Sequence, residues 1–381
     1  MRFFSFKFRL FRQACFALTA LLATACSAPQ PAPQWQPQQS GVTASFRGLS
    51  AASENVAWVS GTHGSVLRTT DGGASWQKIP VAGADSLDFR DVEAFDDKTA
   101  LLMSAGSGAL SRIYKTEDGG QSWQLLYTNT IAEGFFDGMA FWDRQHGILY
   151  GDPIDDKMFI LTTSDGGASW QRVPADALPA MHEGEYGFAA SGTGIAVTGS
   201  SSVWIGTGGA AARVFYSHDR GQNWAVAETP IISGEASTGI FSIAFADAQN
   251  GVVVGGDYQK PNETTATVAR STDGGQSWQL VEAGAPVSFR SAVAFVPETG
   301  GPQVVAVGSH GASFSTDGGA SWNDLGKSGY HALSIDPDGK SIWAAGGDGR
   351  IAKLTGFGRK VIDEIERKAN QLMDRGESGN D

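Results

Sequence analysis

One pattern, Ser/Thr-x-Asp-x-Gly-x-x-Trp, recurs six times in this chain and limits its possible folds more than any other feature. The copies run Thr69–Trp76, Thr116–Trp123, Thr163–Trp170, Ser217–Trp224, Ser271–Trp278 and Ser315–Trp322, with aspartates Asp71, Asp118, Asp165, Asp219, Asp273 and Asp317. Successive aspartates stand 44 to 54 residues apart, about the length of a four-stranded unit in a radial repeat protein. Asp followed by Gly between two strands is a hairpin signal. The carboxylate can accept turn N–H groups, and the tryptophan is large enough to cover the hairpin. Six equivalent aspartates at six corners make poor catalysts and good turn formers.

The residues around each copy repeat as well. A first strand is exemplified by Phe89–Phe95 and Phe289–Phe295, a Gly-ending second by Val56–Gly61 and Val304–Gly308, and a third enters the hairpin, as at Val66–Thr70. A short fourth follows the tryptophan. A seventh unit, built from 331–335, 341–346 and 350–354, has no hairpin motif and no fourth strand. Trp35-Gln36 echoes the Trp-Gln that closes four other units, so a strand near 34–42 is expected to complete the last unit. The expectation is an all-β, seven-bladed β-propeller over residues 40–355, closed by its N-terminal strand so that no sheet edge stays open. The 50 glycines, without a G-X-Y period, fit many tight turns. Residues 356–381 read as a tail whose Lys360–Met373 stretch is a short charged helix.

The first 25 residues stand apart. Arg2, Lys7, Arg9 and Arg12 precede an apolar run, Ala14–Ala25, that is too short to span a bilayer. It ends in Ala23-Thr24-Ala25-Cys26. This is an A-x-A cleavage site or, with Leu21 and Leu22, a lipobox that would lipidate Cys26. The Pro/Gln-rich segment 27–39 suits a tether and favours the lipobox reading. The expected location is therefore the periplasmic side of a bacterial envelope, held by a lipid anchor. The other cysteine, Cys15, lies within the signal region. The remainder of the chain thus has no disulfide, thiol nucleophile or thiolate metal site. The whole chain carries a net charge of −12, and the signal region holds basic residues only. The exported part is more acidic still, which argues against nucleic acid and against direct adhesion to anionic lipid.

The run beginning at Gly61, Gly-x-x-Gly-x-Val-Leu-Arg-Thr-Thr-Asp-Gly-Gly-x-Ser-Trp, resembles the signature of the photosystem II stability/assembly factor-like family. More broadly the hairpins resemble the Asp-box, or bacterial neuraminidase, repeats of sialidase and sortilin-type propellers. The resemblance covers residues 40 to 355. It implies a propeller that binds another protein or peptide as an assembly scaffold. Some similar sequences carry an oxidoreductase label, and sialidase-type propellers are hydrolases, so an enzyme is the alternative.

No cofactor is expected. The Gly206–Ala211 run fits G-x-G-x-x-A, but a strand follows it and not a helix, so a dinucleotide fingerprint is discounted. No metal is expected, since His63, His146, His218 and His310 form no ligand pattern. Phe46-Arg47, Phe89-Arg90 and Phe289-Arg290 recur at the start of first strands, and His331 holds the matching place in the last unit. Arg47, Arg90, Arg290 and His331 could thus ring the channel mouth and capture an anion. The alternative is that each arginine pairs with a nearby carboxylate such as Asp91 or Asp137. Units three and five carry acidic departures at Asp152, Asp155, Glu183, Glu185 and Asp257. These could supply acid/base pairs, or oxygen ligands for calcium, or stay as solvated loop charge.

Overall fold

The computed structural model describes residues 33–282, 287–297 and 302–356. The signal region, Cys26, the first part of the tether and the C-terminal helix expected from the sequence lie outside the described residues. Seven antiparallel sheets follow one another along the chain. Blade one is Phe46–Ala51, Ala57–Gly61, Ser65–Thr69 and Gln77–Lys78. Blade two is Asp88–Ala94, Ala100–Ala105, Arg112–Thr116 and Gln124–Thr128. Blade three runs from Phe136–Phe141 to Gln171–Arg172 and blade four from Ile195–Thr198 to Ala225–Glu228. Blade five spans Thr238–Phe245 to Gln279–Leu280 and gains two short inner strands, Glu185–Tyr186 and Gly208–Gly209. Blade six spans Ala292–Phe295 to Asn323–Asp324.

Blade seven takes three strands from the end of the described chain, Ala332–Ile335, Ile342–Ala345 and Ile351–Thr355, and its fourth from the beginning. Gln34–Gln38 pairs antiparallel with that last strand, Gln34 opposite Thr355 and Gln38 opposite Ile351. The expected closing strand is present.

The cores lie between blades. One apolar cluster fills each junction, including the junction of blade seven with blade one, where Phe46, Val59 and Leu67 meet Ala332, Trp343 and Ile351. Each hairpin tryptophan reaches back into the junction with the preceding blade. Trp76 meets Trp343 edge-on at 5.6 Å, and Trp123 meets Trp58 at 6.1 Å. Trp170 meets Phe141 and Trp278 meets Phe245, both at 6.0 Å. Trp35 plays that part for blade seven. It packs on the junction with blade six, 5.1 Å from Tyr330.

The six hairpins share one hydrogen-bond pattern. In the first, the Thr69 hydroxyl donates to Asp71 Oδ1 (2.8 Å) and accepts the Gly73 N–H (2.9 Å). Asp71 then takes the Ser75 N–H and hydroxyl at 3.0 and 2.6 Å. The residue before the tryptophan is thus part of the motif, as Ser75, Ser122, Ser169, Asn223, Ser277 and Ser321. A second aspartate repeat escapes the sequence reading. Asp96, Asp143 and Asp247 each cap the loop after a first strand by accepting two backbone N–H groups. The first hairpin glycine donates to a carbonyl of that same loop, as Gly119 does to Lys98 and Gly166 to Gln145.

Two stability outcomes follow. Trp35→Ala should cost ~2 kcal/mol, below the usual figure for a fully buried tryptophan because Trp35 is only half-buried. Thermal unfolding of Trp35→Ala beside the wild type reads this loss. Hydrogen bonds, those from the following serine first, hold Asp71, Asp118 and Asp165 down to about 2. Their contribution is complete above the unfolded value near 4 and is lost as pH falls toward 2. Chemical denaturation at pH 5, 3.5 and 2.5 should show a steady fall in stability, and Asp71→Asn should flatten part of it.

Candidate functional site

The first strand of each blade lines the central channel, and several begin with a bulge that leaves one residue out of the ladder. The register shifts between Phe46 and Gly48, between Phe89 and Asp91, between Phe136 and Gly138, and between Ile240 and Ser242. A bulged residue is unpaired and re-aimed. The four positions are Arg47, Arg90, Asp137 and Phe241.

Arg47 and Arg90 line a cavity of about 340 Å³ with His331, Ser291 and Ser309. Four aromatic rings complete its wall: Phe188, Phe241, Phe289 and Tyr258. Phe188 stacks on Phe241 at 3.9 Å, and Phe289 and Tyr258 meet Phe241 edge-on at 4.8 and 6.0 Å. The pairing of arginines with Asp91 or Asp137 is not what forms. Arg90 binds Asp88 at 2.6 Å and donates to the Ala189 carbonyl at 2.8 Å. Arg47 has no carboxylate within ion-pair distance among the described residues. It donates to the Ala190 carbonyl at 3.4 Å. Burial first, then the like charge of Arg90, brings the Arg47 guanidinium down to about 10, so it keeps its charge near neutral pH. His331 sits 3.2 Å through Nδ1 from the Phe46 carbonyl, which puts its proton on Nδ1 and leaves Nε2 as an acceptor. Burial, followed by the nearby Arg47, pushes His331 down to about 4, so the ring is neutral at pH 7.

Arg290 does not join this group, contrary to the sequence expectation. The paired strand of blade six begins only at Ala292, so no bulge turns Arg290 into the channel. Its guanidinium is buried against Ser288, the Phe289 carbonyl and Ser313 Oγ (2.8 Å). The basic mouth is a pair of arginines and a neutral imidazole, not a ring.

The floor of the cavity is a segment the sequence did not reveal. Between blades three and four the chain enters the channel, so that Phe188–Ala190 line the arginine cavity. The next residues, Ser191–Thr193, line a second cavity of about 520 Å³. This plug touches most of the ring. Ser191 donates to the Ser291 carbonyl (2.7 Å), and Thr193 Oγ1 lies 2.7 Å from Ser242 Oγ. Gly187 donates to Asp152 Oδ1 (3.2 Å). Glycine is required at two points: a Cβ on Gly187 would lie 2.3 Å from Asp137 Oδ2, and one on Gly192, at φ 75°, 2.3 Å from Asp91 Oδ1.

Asp91 and Asp137 therefore lie beneath the plug. Asp91 accepts the N–H groups of Val92 and Met139, both at 2.8 Å, yet burial still drives it up to about 7. Asp137 Oδ2 is buried with no donor among the described residues. Its neighbour is the Asp152 carboxyl, and a bond between the two needs a proton on one of them. Burial, then the charge of Asp152, raises Asp137 well above the ordinary range. Burial lifts Asp152 itself to about 6. Glu93, in the second cavity, rises to about 8 through desolvation and the nearby Asp91.

The remaining loop carboxylates are scattered. Asp155 and Glu183 are exposed turn residues, Asp155 at a positive φ of 50°. Glu185 is buried, with both oxygens 3.1 Å from Arg213 Nε and with Thr207 as a further donor. Asp257 caps its own turn through the Gln259 N–H, with Lys260 at 3.8 Å. Of the five, Asp152 is the one bonded to the plug, through the Gly187 N–H, and no carboxylate among the described residues lines the arginine cavity. The residues missed were Phe241, Tyr258 and Phe188–Thr193. Phe241 was within reach, since Ile240-Phe241-Ser242 occupies the same strand-start position as Phe46-Arg47-Gly48.

Residues 32–139 match the family described as photosynthesis system II assembly factor YCF48. Over that stretch the chain is similar to the photosystem II assembly factor family. The matched stretch covers the closing strand, blades one and two, and the start of blade three, so it holds both cavity arginines. No curated protein matches the sequence significantly. Among solved structures, this propeller shares its fold with a YCF48 bound to D1 peptide. That pair has 15% identity and a TM-score of 0.61, covering 84% of this chain and 94% of the other. YCF48 from Cyanidioschyzon merolae is similar at 17% identity and a TM-score of 0.56, covering 84% and 98%. The GH74 xyloglucanase from Xanthomonas campestris has 17% identity and a TM-score of 0.55, but this chain spans only 53% of it.

The buried acid beneath the plug has a measurable signature. A carboxyl raised on folding keeps a proton that the unfolded chain releases near pH 4, so native stability declines as pH rises above that value. Asp137→Asn keeps the shape and removes the charge. It should melt at a higher temperature than the wild type at pH 8 and at nearly the same temperature at pH 4, as read by scanning calorimetry.

Proposed function

We propose that this propeller is a non-catalytic scaffold that receives a segment of another protein at the arginine-lined mouth, a carboxylate of that segment meeting Arg47 and Arg90. The observation that carries this reading is the Arg47 guanidinium. It is held charged in an aromatic cavity with no carboxylate at ion-pair distance among the described residues. A buried, unmatched guanidinium is costly unless a ligand supplies the counter-charge. The rings of Phe188, Phe241, Phe289 and Tyr258 offer apolar surface beside that charge, as a binding pocket requires. A fold relative was solved with a D1 peptide bound, which supports a peptide as the class of ligand. The hydrolase alternative needs two carboxyls flanking the reacting bond, and the wall of this cavity supplies none. The signal region and the Cys26 lipobox support a location on the periplasmic side of a bacterial envelope, with a lipid at Cys26 as the membrane link.

Arg47→Ala and Arg90→Ala should each weaken capture from a peptide array by about 10- to 100-fold, the usual worth of a charge-assisted contact. Melting temperature should change little. Binding that is indifferent to both substitutions overturns the reading. For the anchor, Cys26→Ser should abolish incorporation of labelled palmitate; incorporation that persists places the lipid elsewhere.

A further inference from the structure

The plug joins the arginine mouth to the acids below it through a few peptide groups. The Ala189 carbonyl accepts from Arg90, while the Ala189 N–H lies close enough to Asp137 to favour its ionised form. Two residues earlier, the Gly187 N–H is held by Asp152. One short stretch of backbone therefore has the cation of the ligand site on one side and a carboxyl pair on the other. Arg90 is the basic group that acts on Asp137, and Asp137 Oδ2 has no hydrogen-bond partner among the described residues. Glycine at Gly187 lets the pair press directly against the plug.

We infer that the Asp137–Asp152 pair is a proton-operated control on the arginine mouth, so that an anionic ligand binds with proton uptake and is released as the pair ionises. The inference rests on the binding reading above and adds its regulation. With a proton on each carboxyl, the pair is neutral toward the mouth, and Asp152 holds the plug through the Gly187 amide. Loss of a proton adds negative charge beneath Arg90. That charge draws the guanidinium field downward and repels a carboxylate arriving above, while the proton that remains is shared by the two carboxyls. Linkage requires the reverse as well: a bound anion raises the proton affinity of the pair.

Other titrating groups nearby act in distinguishable ways. His331, at about 4, is neutral throughout the relevant range. Arg47, at about 10, keeps its charge, and Asp88 is spent on Arg90. Burial first, then Asp137, Asp91 and Asp152, pushes Tyr150 further up from an already high value, and burial, then Tyr258 and Asp152, raises Tyr186. Asp91 and Glu93 lie lower in the channel and ionise at about 7 and 8. The step belonging to Asp152 is expected near 6.

The probe is N-acetylphenylalanine, an aromatic monocarboxylate that remains ionised above pH 4. Its affinity for the mature protein is measured by NMR titration from pH 5 to 8. Affinity should fall roughly 3- to 10-fold across a step near pH 6, as one added charge in a partly screened site predicts. In Asp152→Asn that step should vanish while binding persists, any remainder near pH 7 belonging to Asp91. In the free wild type the Gly187 amide shift should titrate with the same midpoint. A step near pH 6 that survives Asp152→Asn, or an affinity flat from pH 5 to 8, overturns the linkage and leaves the binding reading standing. Absence of binding at every pH removes the binding reading and the linkage with it, and the Gly187 titration then shows only that the pair ionises.

Discussion

A radial sheet protein must deal with its innermost strands, each of which is a sheet edge with unpaired N–H groups facing the axis. Here the neighbours supply the acceptors. Ser334 of blade seven takes the Ala51 N–H of blade one at 2.9 Å, and Ser50 takes that of Ala94 in blade two at 3.0 Å. Asp91 takes that of Met139 in blade three. Thr193 accepts from Ile243 through its carbonyl, and Ser242 takes the Val293 N–H at 2.9 Å. Ser291 donates onward to the His331 carbonyl at 2.8 Å. Each unmet group would cost about 1–3 kcal/mol. The belt therefore fixes the angle between blades as firmly as the apolar junctions outside it. Every feature of the channel, from the arginine mouth to the plug, is positioned by it.

Asp91 shows how the belt and the channel chemistry meet. A serine in that place would satisfy the Met139 N–H at little cost. A carboxyl does the same with a second bond to Val92 and brings a titrating group into the dry centre of the ring. The plug then closes over it, because Gly192 leaves room that any side chain would fill. A joint that is ordinary elsewhere in the ring becomes, at this blade, part of an acidic floor.

Much of the fold was legible because its signals are local. A Ser/Thr, an Asp, a Gly and a Trp at fixed offsets complete a hairpin without reference to anything distant, and six copies leave few arrangements open. Trp35 was legible for the same reason, since it repeats the residue pair that ends other blades. The channel was harder to read. Arg47 and Arg290 have nearly identical neighbours in sequence, yet one is bulged into the channel and the other is captured by Ser313. The difference lies in where strand pairing begins, which the neighbouring residues do not encode. The plug was invisible because Gly187–Gly194 has neither a strand nor a helix period. Its order comes from distant partners, as with Ser191 and Ser291, 100 residues apart, and Ala190 and Arg47, 143 apart. The acidic loops were over-read: Glu185 looked available and is consumed by Arg213.

The composite seventh blade gives the ring a seam. Gln34 lies opposite Thr355, so the two ends of the described chain leave from adjoining positions on one sheet. Separating five residue pairs there would break no other sheet and would leave blade seven joined to blade one through their apolar junction and bonds such as Ser334–Ala51. Whatever precedes Gln34 or follows Thr355 is thus attached where that seam could be unzipped. A pull on the leading end would load those pairs one after another, starting at Gln34. The blades that carry the two cavity arginines would be spared until the seam gave way.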